Sequence, residues 1–318
     1  MDFFKPRKEV SMNDIMDRLV IRVILSIFMC LIFVSFKYFH IFINSSGSIQ
    51  LTKKFYPTKN AASTLHFLAR ILGVGILLSS YQFDISNGLM MALIDFLVQA
   101  FLGTLFFIAS IYIIESITLA NFEYSEEITK KKNLSYALIS FSIVISMAII
   151  FKSVLRISQG SAIILFFLSL FCIVIVGLAA KVFPLLTKIP FNLLLIQKNL
   201  GPACSFVGYI LGTSCIMIGA IGQGMTHIHD YSIRVFLKIL LASIIFPIFR
   251  IGLIYIFKFQ EIKSIKATFR PGVTFDPQNS EEENLGQGIY EGVIFLTASY
   301  LTSVITGQIN FGINYPIF

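Results

Sequence analysis

Eight stretches of this chain stay apolar for about 20 residues or more, long enough to cross the roughly 30 Å hydrocarbon core of a bilayer as helices. They cover residues 19–43, 61–80, 89–114, 134–154, 161–180, 200–221, 233–257 and 285–305. No other feature constrains the fold as strongly. Without water, each backbone N–H and C=O must find its partner inside the segment, which leaves helices or a closed barrel. A barrel would alternate apolar and polar residues along short strands, whereas these runs are continuous. The expected fold is an all-α membrane protein with eight transmembrane helices, and the lipid bilayer is its first partner. Composition agrees: 56% of residues are hydrophobic and 13% charged, against about 25% charged in soluble domains. The longest connection, residues 258–283, carries the turn signals RPG, DPQ and SEEEN and is too short for a soluble domain.

The net charge of +8 is spread over connections. Lys53, Lys54, Lys59, Lys130, Lys131, Lys132, Lys181, Lys188, Lys198, Lys258, Lys263, Lys266 and Arg270 follow the odd-numbered spans. Lys5, Arg7, Lys8, Arg18, Lys152, Arg156 and Arg234 lie on the other side. The excess of the first group places it in the cytoplasm and both termini outside. The basic N-terminal tail runs against that orientation. No basic patch with interleaved aromatics stands out, so no nucleic-acid partner is expected. Cys30, Cys172, Cys204 and Cys215 all lie in apolar runs without CxxC spacing, which reads as packing. The first apolar run is too long for a signal-peptide core and is read as a retained helix. The organisation is an N-terminal tail (1–18), a first four-helix membrane domain (19–156) and a second (157–318).

The second constraint is a repeat. "KNAASTLHFLARILGVGILLSS" begins at Lys59, and "KNLGPACSFVGYILGTSCIMIGA" begins at Lys198. With Asn60 on Asn199, Phe67 falls on Phe206 and Gly73 on Gly212. Asn133 and Asn284 open two further copies, so spans 2, 4, 6 and 8 each begin with Asn after a charged residue. Small residues recur at fixed distances from those Asn. They are Ala62, Ser135, Gly201 and Gly286, then Thr64, Ala137, Ala203 and Gly288. Farther in come Gly73, Ser146, Gly212 and Thr297, then Gly75, Ala148, Ser214 and Ser299. Asn is a good N-cap, and small residues let membrane helices approach closely. The unit is a pair of helices used four times, and an even number of spans per unit makes all four parallel. The even helices are expected to form the inner layer.

An Asn-led start, a Gly about four turns on and a second copy further along resemble the bacterial inner-membrane "domain of unknown function 350" family, here as two tandem copies. In that family a four-helix domain often stands alone. The first and third copies fit best; the second and fourth have Ser146 and Thr297 where the others have Gly. The resemblance implies a fold and an inner-membrane location and no reaction.

Charges inside a bilayer are costly and point to function. Arg70 lies about 15 Å into its helix and Asp95 about 10 Å into the next, from the rise of 1.5 Å per residue. They are expected to pair. Arg250 and Glu291 are placed level in the same way, and His66 sits one turn from Arg70. The plainer reading is two ion pairs that fix helix register; the functional one is a polar path or binding site for an ion or small solute. His227, His229 and Asp230 in "MTHIHD" make a weak metal candidate without a fourth ligand. No catalytic constellation, phosphate loop or dinucleotide motif occurs, so neither enzymatic activity nor a cofactor is expected. Two functions follow: movement or regulation of an ion or small solute, or a structural or assembly subunit. In the second, small-residue faces pack against another copy or another membrane protein.

Overall fold

The computed structural model describes residues 12–43, 60–81, 88–158, 161–187, 190–223, 225, 227–257, 277–309 and 311. Among these residues are eight helices long and apolar enough to cross a membrane. They are α1 (Met12–Ile43), α2 (Ala61–Leu78), α3 (Leu89–Thr118), α4 (Leu134–Ser158), α5 (Ala162–Thr187), α6 (Leu200–Ile221), α7 (Ile228–Ile256) and α8 (Pro277–Gln308). The described residues are otherwise almost all connections, including a π-helical turn, Ser125–Lys130, and a short helix, Phe191–Ile196. The chain divides into two compact units, Met1–Lys53 with α1 and Lys54–Phe318 with the other seven.

Within the larger unit the even helices stand in a row. Helix α2 packs on α4, α4 on α6, and α6 on α8; α3 leans on α4 and α5, α5 on α4 and α6, and α7 on α8 and α6. Burial follows this layering: 50% of the α2 span, 72% of α4 and 61% of α6 are buried, against 33% of α5 and 11% of α7. Helix α8 ends the row and keeps one face outward, so only 39% of its span is buried.

Hydrogen bonds set the level of the helix starts. Asn60 caps α2 by accepting from the Ser63 amide at 3.1 Å, and its Nδ2 donates to the Ile128 carbonyl at 2.8 Å. Asn133 accepts from the Tyr136 amide at 3.2 Å, while its Nδ2 donates to Glu127 Oε2 at 2.8 Å and to the Leu195 carbonyl at 3.0 Å. Asn199 caps α6 by accepting from the Gly201 amide at 2.9 Å. So the Asn at one helix start holds the connection leading into the next even helix. The two connections end alike. Lys132 (φ 51°) and Lys198 (φ 59°), each just before the Asn, take the left-handed conformation, at a cost of roughly 1–2 kcal/mol for an L-residue. Asn284 differs. It lies inside α8, which begins at Pro277, so it does not cap. The acidic SEEEN stretch, read as a turn, belongs to the first part of that helix.

The small residues act most strongly between α6 and α8. A Cβ added at Gly288 would collide with the Gly201 carbonyl, and one at Gly208 with the Gly292 carbonyl. One at Gly212 would fall 2.5 Å from Ser299 Oγ, and Gly219 is likewise pressed by Ser303. On each helix the contacting positions recur with a spacing close to 3.5 residues, the period of near-parallel packing. Gly73 does the same in the first half with side chains only, facing Phe107 and Val144 at 2.7 and 2.9 Å from a built Cβ. Ser146 is fully buried on α4. Thr297 departs from expectation: it is exposed, because the face of α8 turned to α6 carries Phe295 and Ser299 instead.

Candidate functional site

Two clusters of charge lie within the bundle, each spread over three helices. In the first, α2 supplies Arg70, α3 supplies Glu115 and α4 supplies Ser140. Arg70 Nη2 meets both carboxylate oxygens of Glu115, at 3.0 and 2.9 Å. Its Nη1 donates to the His66 carbonyl at 3.2 Å and to Ser140 Oγ at 3.3 Å. Ser140 Oγ in turn donates to Glu115 Oε1 in a short hydrogen bond. The Arg70 side chain is 3% exposed and that of Glu115 11%. One guanidinium nitrogen on both carboxylate oxygens, with a hydroxyl on one of them, makes a well-satisfied buried pair. Tyr112 lies beneath the guanidinium at 6.0 Å.

Asp95 is therefore not the partner of Arg70. It is exposed on α3, 20 residues before Glu115, or about 30 Å at the helical rise. The physical reason is side-chain direction. Helical side chains point back towards the N-terminus, and Arg70 reaches down to the His66 carbonyl, level with the last turn of α3. That helix runs to Thr118, four residues beyond the apolar stretch read from sequence.

In the second cluster α6 supplies Ser205, α7 supplies Arg250 and α8 supplies Glu291. Arg250 and Glu291 pair as expected, with Nη2 3.4 Å from Oε1, and Ser205 Oγ donates to Oε2 at 2.8 Å. This pair is looser, with side chains 20% and 17% exposed. Arg250 Nε is buried without a hydrogen-bond partner among the described residues. The guanidinium stands 4.6 Å from the Phe295 ring, a cation–π contact. Phe295 belongs to an aromatic cluster with Phe183, Tyr209 and Phe246.

Other residues singled out in the sequence have local roles. The His66 ring is buried and lies tilted against Tyr124 with centroids 4.6 Å apart, and it is the His66 backbone that meets Arg70. Tyr124 lies in the connection after α3, where burial pushes its phenol above the ordinary range against the opposing charge of Arg70. In the same connection Glu127 holds the Lys131 ammonium above its usual value through a 2.8 Å hydrogen bond. His227 precedes α7, and His229 meets Asp230 at 3.5 Å on the surface. No group of three or more potential metal ligands converges among the described residues.

Sequence reasoning missed Glu115, Ser140, Ser205 and Lys238. Lys238 on α7 is fully buried and donates to the Gly307 carbonyl at 2.9 Å; two turns earlier on the same helix, Tyr231 donates to the Ile221 carbonyl at 2.8 Å. Both acceptors are end carbonyls without an intrahelical partner, so α7 caps α8 and α6 from the side. A lysine spaced a helical turn from Arg234 inside an apolar run is the signal that points to it.

No curated protein and no solved structure matches the chain. One family's sequence profile matches it twice, over residues 12–155 and 157–305. This multi-pass helical membrane protein thus belongs to the family described as Domain of Unknown Function (DUF350), as two tandem copies of the domain.

Proposed function

We propose that this protein is a non-enzymatic assembly element of the bacterial inner membrane, packing through its helix faces against another membrane-embedded chain. The observation that supports this reading is the closure of the Arg70 cluster. Both Glu115 oxygens are engaged by Arg70 and Ser140 bonds to one of them, and the guanidinium is 3% exposed. A group meant to meet a passing ion or solute needs room and an open coordination position; this pair has its bonding capacity turned inward. The connections after α1, α3, α5 and α7 are assigned to the cytoplasm and both termini to the outside, on the excess of Lys and Arg in those connections. The test is the mass of the protein extracted from native membranes with a mild detergent. A complex larger than one chain is expected, and a lone chain at every detergent concentration overturns the reading.

A second reading rests on the other cluster. Arg250 and Glu291 are each about one-fifth exposed, and Arg250 Nε has no partner among the described residues, so an anion or small polar solute can be met there. Purified protein in liposomes, assayed for chloride and proton flux, tests it. Flux abolished by Arg250→Gln supports it; impermeable vesicles sink it.

A further inference from the structure

Helix α6 meets α8, and α2 meets α4, in one register. Counted from the repeated Asn, the ninth residue of α6 (Gly208) lies on the eighth of α8 (Gly292), and the thirteenth (Gly212) lies between the eleventh (Phe295) and fifteenth (Ser299). The twentieth (Gly219) lies on the nineteenth (Ser303). In the first half the thirteenth residue of α2, Gly73, lies on the eleventh of α4, Val144. Each even helix thus has a leading face, made by the second, ninth, thirteenth and twentieth residues, and a trailing face, made by the fourth, eighth, eleventh, fifteenth and nineteenth.

On α2, α4 and α6 the leading face is inside the row: Ala62, Ala69, Gly73, Ser135, Ser142, Ser146, Gly201, Gly208 and Gly212 are all buried. On α8 the same positions are Gly286, Val293, Thr297 and Val304, and all are exposed. At the other end, the trailing face of α2 is bare at Leu68 (45% exposed) and Ser79, with Leu72 (51% exposed) beside them. Helices α2 and α8 do not pack on each other. The row is open, and its ends are unlike: one offers a leading face, the other a trailing face.

We infer that these ends join, the leading face of α8 in one copy packing on the trailing face of α2 in a second copy of this chain. This rests on the assembly reading and names its partner. The register then places Val293 on Leu68, Thr297 on Gly75 and Val304 on Ser79. Such a contact is head-to-tail, so it propagates to a ring or a strip and does not stop at two copies.

Disulfide trapping of the full chain in native membranes, in a Cys30→Ser background, tests this. Leu68→Cys with Val293→Cys in one chain should give, on mild oxidation, a reducible ladder of dimers, trimers and larger species. Ser79→Cys with Val304→Cys should do the same. Leu68→Cys with Val304→Cys should stay monomeric, since eleven residues displace the thiols by about 16 Å along the helix, far beyond disulfide reach. Co-expressed chains that carry Leu68→Cys or Val293→Cys alone should give a mixed dimer and nothing larger. Like-with-like dimers from Val293→Cys alone, or an equal ladder from the out-of-register pair, overturn the inference. So does a monomer in every arm, with lipid covering both faces. If a larger complex still survives mild extraction in that case, the assembly reading stands with another partner. If the chain is also alone after extraction, both fall.

Discussion

The two halves of the larger unit solve one problem with different residues. Each holds an arginine, a carboxylate and a serine hydroxyl across three neighbouring helices. In the first half the arginine is on an even helix and the carboxylate on an odd one; in the second they change places. Ser140 and Glu291 both stand seven residues after the repeated Asn, so one position carries the hydroxyl in one half and the carboxylate in the other. What recurs is a charge-neutral three-helix tie, and the residue that supplies each charge is free to move. The halves also differ in closure: the first pair is bidentate and 3% exposed at Arg70, while the second is a single 3.4 Å contact with its arginine 20% exposed.

That difference sets the largest predicted effect. Arg70→Ala strands Glu115 among buried groups and should cost about 3–5 kcal/mol, measured as lost thermal stability in detergent and lower membrane yield. Arg250→Ala should cost less, roughly 1.5–3 kcal/mol for a hydrogen-bonded charge, since Glu291 keeps Ser205 and some solvent or headgroup access. Arg70→Met with Glu115→Leu should recover most of the loss from Arg70→Ala. An additive double mutant, or equal losses from the two single arginine changes, would erase the contrast between the clusters.

A rebuilt pair sharpens the comparison. Glu115→Ala removes the carboxylate from α3, and adding Ser140→Glu returns one on α4, copying the geometry of Glu291. Ser140 Oγ already lies 3.3 Å from Arg70 Nη1, so the new carboxylate starts within reach. The double change should restore at least half of the melting temperature lost by Glu115→Ala alone. No recovery would show that the two halves are not interchangeable in plan.

Next come the close approaches. Overpacking a tight core costs about 1–3 kcal/mol. Gly208→Ala should sit at the upper end, because the new methyl meets the Gly292 carbonyl and the backbone has no rotamer to escape to. Gly73→Ala should sit at the lower end, since Phe107 and Val144 meet it with side-chain atoms that can turn aside. Gly212→Leu and Gly73→Leu should both fail more severely than their alanine counterparts. Chemical-shift or melting data that rank Gly73 above Gly208 would reverse the ordering of the two interfaces.

The sequence made some of this legible and hid the rest for physical reasons. Eight helices follow from the length of the apolar runs, and the pairing of Arg250 with Glu291 from counting residues along two helices of known direction. Glu115 escaped because hydropathy ends the α3 run at residue 114, where a charged side chain looks like the first residue of a connection. The helix continues because Arg70 is waiting at that level, and a charge satisfied by a partner on another helix leaves no mark in a one-dimensional window. The downward reach of an arginine side chain was the usable clue. Thr297 misled for a related reason: the repeat position is small, but α8 is the last helix of the row and has no following helix to press on it.

The smallest expected effects concern the repeated Asn, and they separate four positions that look alike in sequence. An N-cap Asn replaced by Ala costs typically about 1 kcal/mol. Asn60→Ala and Asn199→Ala should fall near that value, with Asn60 a little higher for its bond to the Ile128 carbonyl. Asn133→Ala should be the worst of the four. It removes the cap of α4 and two further bonds, and it leaves Glu127 Oε2 and the Leu195 carbonyl without their donor in a buried setting. Asn284→Ala should be neutral or slightly stabilising, because residue 284 lies inside α8, where Ala is the better helix former. Thermal melts of the four single mutants decide the matter. A loss at Asn284 as large as at Asn199 would mean that α8 begins at the repeated Asn after all, with all four helix starts built alike.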